Sequence, residues 1–158
     1  MKRNSWQSMA VGMLVGAGLA LTAVPATAKT DVCALYKKHA PKDVGLQLDK
    51  AVSATPEFCQ AWAADRKATL LLRVWATRSA SMAVTGTRQS AVNSGNGKVA
   101  DESGLGSGAW SKRSDSTIEI TFTTNGNFVQ VVFSRDPAAV DADVAKAREF
   151  ARAVAGSL

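Results

Sequence analysis

The stretch 117–133 constrains the fold more than any other. Two alternating runs, Thr117-Ile-Glu-Ile-Thr-Phe-Thr and Phe128-Val-Gln-Val-Val-Phe, flank Asn125-Gly126. Asn-Gly is the pair selected by a two-residue hairpin turn, whose central positions both need positive φ. Pairing across that turn sets Phe122 opposite Val129, Ile120 opposite Val131 and Ile118 opposite Phe133, all on one face. The other face carries Glu119, Thr121 and Thr123 against Val132, Gln130 and Phe128, so it is mostly polar and solvent-facing or lightly covered.

A helix is expected to cover the apolar face. Asp136 can cap it, Pro137 suits a first turn, and Val140, Val144, Ala147, Ala151, Val154 and Leu158 recur at helical spacing, with Phe150 widening the stripe. Such a helix is unstable alone and should lie across Ile118, Ile120 and Phe122. Upstream, Asp31 can cap a short helix with Val32, Leu35, Tyr36 and His39 on one side and Pro41 at its end. Segment 46–52 reads as a short strand, and 58–63 and 68–75 as two strands joined at Asp65-Arg66. A middle helix over 79–92 is weakened by Gly86. The order is α+β: an antiparallel sheet with an N-terminal helix, a weak middle helix and a C-terminal amphipathic helix packed on one face.

Residues 1–28 read as an export signal. Lys2 and Arg3 begin it, an apolar stretch 9–24 follows, and Ala26-Thr27-Ala28 puts small residues where signal peptidase reads. Gly12, Gly16, Gly18 and Pro25 interrupt the stretch, which falls short of the roughly 20 residues that span a bilayer. Cleavage after Ala28 leaves a single domain, 29–158, with no transmembrane segment. Thr30-Asp31-Val32 precedes Cys33, so no cysteine follows the cleavage site to carry lipid, and Lys2-Arg3 is not a twin-arginine pair. These features point to a periplasmic or secreted protein exported unfolded, without a cofactor. In that compartment the two cysteines, Cys33 and Cys59, should form a disulfide that stabilises the fold by roughly 3 kcal/mol.

The net charge of +6 falls by two when Lys2 and Arg3 leave. Lys37-Lys38, Arg66-Lys67 and Lys112-Arg113 are scattered rather than striped, which argues against a nucleic-acid partner. His39 is the sole histidine, and no serine stands in a Gly-x-Ser-x-Gly elbow. One histidine and two bonded cysteines leave only carboxylates for a metal; Asp141 and Asp143 cannot share a helix face, and Asp101-Glu102 is a pair in a loop. Gly95-Asn96-Gly97-Lys98 lacks the complete phosphate-loop pattern and reads as a turn.

An Asp-x-Cys-x-Leu helix (Asp31, Cys33, Leu35), a second cysteine opening a strand (Cys59), Gly104-Leu105-Gly106 with Ala109-Trp110, the 117–133 hairpin and a closing Ala-rich helix together resemble small exported bacterial proteins of unknown function, including actinobacterial lipoproteins. The chain departs from those lipoproteins in lacking the lipid-bearing cysteine. The resemblance implies an exported α+β domain without known catalytic activity and assigns no functional residues.

Binding candidates come from the residues themselves. Trp62, Trp75 and Trp110 offer aromatic faces, and Gly104, Leu105 and Gly106 form a loop that either admits a ligand or bends the chain, with Leu105 and Trp110 as core plugs. If Trp62 and Trp75 share a sheet face without a helix over it, they make an apolar interaction patch; burial under 79–92 is the simpler alternative. The expected function is a non-enzymatic accessory or binding protein of the cell envelope, partnered by an envelope protein or cell-wall component. A carrier of a small apolar molecule held between sheet and terminal helix is the alternative, and an envelope hydrolase using His39 a third.

Overall fold

A computed structural model describes residues 30–44, 49–63 and 65–158. The expected signal segment and part of the 46–52 strand lie outside these. Asn125 and Gly126 adopt φ of 47° and 75°, and the hairpin they close has the register read from the alternation: Phe122 opposite Val129, Ile120 opposite Val131, Ile118 opposite Phe133.

In chain order the elements are α1 (Val32–Asp43), β1 (Asp49–Thr55), β2 (Phe58–Trp62), β3 (Ala68–Ala76), α2 (Ala80–Asn93), β4 (Lys98–Asp101), β5 (Trp110–Arg113), β6 (Thr117–Thr124), β7 (Asn127–Arg135) and α3 (Asp141–Ala155). The strands form one antiparallel sheet in the order β1-β2-β3-β7-β6-β5-β4. Two meanders, β1 to β3 and β4 to β7, therefore meet along the β3–β7 seam, and α2 carries the chain from the middle of the sheet to its far edge.

Alternation divides the seam strands between two faces. Leu70, Leu72 and Val74 of β3 join Val129, Val131 and Phe133 of β7 and Ile118, Ile120 and Phe122 of β6 in the main core, sealed by Tyr36 of α1 and Ala147, Phe150, Ala151 and Val154 of α3. The terminal helices also pack on each other, with the Tyr36 ring edge-on to Phe150 at 6.0 Å between centroids. Cys33 and Cys59 are bonded, with Cα atoms 5.1 Å apart, and staple α1 to β2.

Two boundaries and one packing differ from the sequence reading. α1 runs through Pro41 to Asp43, because a proline in the last turn has helical φ and forfeits only one hydrogen bond. α3 begins at Asp141 rather than at Asp136-Pro137. The Asp136 N–H bonds Lys67 O and the Ala139 N–H bonds Asp115 O, holding 136–139 as a connector, and the Asp143 carboxylate accepts the Val140 N–H at 3.0 Å to start the helix. The middle helix departs from the one-face arrangement and lies opposite the terminal pair. Its Ala80, Val84 and Ala91 bury Trp110 and Phe128 in a second, smaller core, and the Trp110 indole N–H donates to Val84 O at 3.2 Å.

Candidate functional site

The face carrying α2 is only half covered. The helix packs over β6, β7 and β4, towards the end of the sheet that holds Trp110 and Phe128. On β2, β3 and the middle of β7, Phe58, Gln60, Leu71, Arg73, Gln130 and Val132 stay half-buried. A polar row crosses this area. Arg73 Nη1 donates to Gln130 Oε1 at 3.3 Å, and Gln130 Nε2 donates to Glu119 Oε1 at 2.7 Å.

Trp75 stands at the border between the covered and open areas. One of its faces stacks on Phe128, with centroids 4.2 Å apart and planes inclined by 26°, and the Arg73 guanidinium lies 5.7 Å from its ring centre. Concavities flank it on both sides. One of about 570 Å³ is lined by Thr55, Pro56, Glu57, Phe58 and Arg73. The other, about 840 Å³, reaches Arg78, the Asn125-Gly126 turn, Thr30 and Leu158. Among the described residues no carboxylate lies within ion-pair distance of Arg73 or Arg78, although the exposed Glu57 lines both concavities, so the groove presents two arginines without an ion pair, one acid and an aromatic edge.

The sequence candidates fall apart in space. Trp62 and Trp75 do share the α2-side face, but Trp62 pairs with Thr69 and Trp75 with Phe128, at opposite ends of β3. Trp75 packs against the α2 cluster, whereas Trp62 borders a separate small cavity at the β2–β3 turn. Trp110 and Leu105 are buried core plugs that offer nothing to a partner. Gly104 and Gly106 are exposed, and the loop they serve is a bend laid on the β6–β7 hairpin: a Cβ on Gly106, at φ 103°, would stand 2.7 Å from Thr123 O. Phe58 and Arg73 were missed because the groove depends on β2 and β3 pairing in a register that places Phe58 opposite Arg73.

Asp101 and Glu102 differ in their surroundings: Asp101 ends β4 and stays exposed, whereas the Glu102 side chain is buried. Asp101 bonds Arg88 of α2 at 2.9 Å. The Glu102 side chain is only 5% exposed and takes Arg148 of α3 in a forked contact, Nε at 2.9 Å from both carboxylate oxygens and Nη2 at 2.6 Å from Oε1. Burial alone would raise its carboxyl pKa, but hydrogen bonds from Arg148 and Ser111 and the charges of Arg148 and Arg152 hold it below the ordinary value. Both carboxylates are thus committed to arginines, and no group of three or more metal-ligating side chains occurs among the described residues.

His39 meets the Ser157 hydroxyl at 2.9 Å where α1 passes the end of α3, and neither residue lines any of the concavities described. The Gly95–Lys98 stretch is a turn packed against Arg113, beside a shallow concavity of about 820 Å³. No helix among the described residues is long and apolar enough to cross a membrane. No family model matches this sequence, and no curated protein or solved structure matches it either.

Proposed function

We propose that the protein is a non-enzymatic accessory protein of the cell envelope, exported with cleavage after Ala28, which binds a partner protein in the groove around Trp75. The observation that carries this reading is the groove itself: an aromatic edge with two arginines that make no ion pair among the described residues, on the half of a sheet face that α2 leaves open. Its chemistry suits an extended segment that places an apolar side chain beside Phe58 and Trp75 and a carboxylate beside Arg73 or Arg78. The Cys33–Cys59 bridge supports the exported setting, since such bonds persist in oxidising compartments. The resemblance to small exported bacterial proteins belongs to the same reading.

The filled layer between sheet and α3 favours this over a carrier of an apolar molecule, because Ile120, Phe122, Phe133 and Phe150 are fully buried and line none of the concavities. The test is a photo-crosslinking residue at position 58 in the exported protein, compared with one at Lys146 on the exposed side of α3. A discrete protein adduct from position 58, lost in Arg73→Glu and absent from position 146, is expected. Equal adducts from both positions, or an adduct from 58 that survives Arg73→Glu, would overturn the assignment. The mass of the denatured protein from the same cells checks the cleavage and the missing two hydrogens of the bridge.

A further inference from the structure

At the opposite end of the face from Trp75, a cavity of about 250 Å³ is lined by Trp62, Arg66, Lys67, Thr69, Ser116, Ser134, Arg135 and Asp136. It is too small for a drug-sized molecule, whose pockets begin at about 300 Å³, and suits one compact group. Its lining is rich in residues that carry donors, namely Arg66, Lys67, Thr69, Ser116 and Ser134, while the Arg135 guanidinium turns to Phe133 and Asp143 in the main core.

Several of these are already engaged. Arg135 Nε stands 3.1 Å from the buried Asp143 carboxylate and the Ser134 hydroxyl meets Thr117 at 3.1 Å, while Asp65 accepts the backbone N–H of Lys67 and leaves its ammonium aside. Asp136 is the one acid among the described residues of the wall. What stays uncommitted among the described residues is the Arg66 guanidinium, the Lys67 ammonium and the hydroxyls of Thr69 and Ser116. Arg66 also sits at φ 60°, in the left-handed region. A glycine there would close the β2–β3 turn without steric cost, yet the position holds a long cation at the cavity mouth.

We propose that this cavity binds a phosphate group. Tetrahedral oxygens can accept from the Arg66 fork, the Lys67 ammonium and the two free hydroxyls together, and Trp62 supplies an apolar wall for whatever carries the phosphate. The phosphate comes either from a lipid headgroup or from a soluble phosphate compound. The site is separate from the Trp75 groove and stands whether or not a protein binds there.

The test uses the folded, disulfide-bonded protein labelled for amide NMR. Inorganic phosphate is titrated against chloride at equal ionic strength, and vesicles of phosphatidylglycerol are compared with vesicles of phosphatidylcholine. Saturable shifts at Arg66, Lys67 and Ser116 are expected with phosphate, weakened at least about tenfold in Arg66→Gly. Arg66→Gly relieves the left-handed strain, so it should remain at least as stable as the parent, which separates lost binding from lost folding. Binding only to phosphatidylglycerol, again lost in Arg66→Gly, supports the site and names the lipid headgroup as its source. No response to either probe, or an undiminished response in Arg66→Gly, would overturn the proposal.

Discussion

Tyr36 is the protein's single tyrosine, and its hydroxyl is buried between α1 and α3 with no hydrogen-bond partner among the described residues. A buried, unsatisfied hydroxyl costs about 1–3 kcal/mol in lost hydration. Tyr36→Phe keeps the ring, its burial and its edge contact with Phe150 while removing that cost. The variant is expected to be more stable by about 1 kcal/mol, with a Tm about 3–6 °C higher. Urea unfolding followed by circular dichroism measures this, and an unchanged m-value would show that the denatured state is unaffected.

Burial also pushes the phenol pKa well above its ordinary 10.0. An acid whose folded pKa is raised gives full stability below the unfolded value and loses it as pH climbs past it. The 295 nm absorbance of the parent should therefore rise together with alkaline unfolding rather than before it, and Tyr36→Phe should resist alkali better. A loss of 1 kcal/mol or more in Tyr36→Phe, or phenolate formation in the folded protein near pH 10, would refute the reasoning by showing a satisfied or hydrated hydroxyl.

Glu102→Gln removes the charge that Arg148 grips and should cost about 1.5–3 kcal/mol at neutral pH in a denaturant titration. Because the folded pKa of Glu102 is depressed, its contribution is present above the ordinary 4.5 and declines as pH falls below it, so the variant's stability should depend less on acid than the parent's. Replacing both cysteines by serine should lower stability by about 3 kcal/mol, seen as the same loss when the parent is reduced. Gly106→Ala should cost about 2 kcal/mol, since its Cβ meets Thr123 O, whereas Gly86→Ala meets nothing within 4 Å and should gain about 0.5–1 kcal/mol by thermal melting.

Legibility in the sequence followed the range of the interactions. The hairpin register, the Asp31 cap and the bridge were readable because a turn pair, a single side chain and a cysteine count each decide them locally. β4 and β5 were not. Each is four residues long, Lys98–Asp101 and Trp110–Arg113, too short to show alternation, and they exist because β6 offers an edge to pair with. The start of α3 was misplaced because Asp136 has capping chemistry, but its backbone is held by Lys67, far away in sequence. The Trp75 groove depends likewise on β3 meeting β2 on one side and β7 on the other, and nothing within 68–76 announces either neighbour.

The bond between α1 and β2 also decides how the molecule carries tension. A pull applied at Thr30 enters α1 and, at its second residue, crosses from Cys33 to Cys59, so the 25 residues it bypasses bear no load. α1 beyond Cys33 and all of β1 lie within that slack loop, and the force arrives directly on β2 beside the central strands. Once reduced, the loop joins the extensible chain and lengthens the fully drawn molecule by roughly 80–90 Å. A force-extension trace with and without reductant would read that step, and a bridged chain that stretched as far as a reduced one would show that the bond does not form.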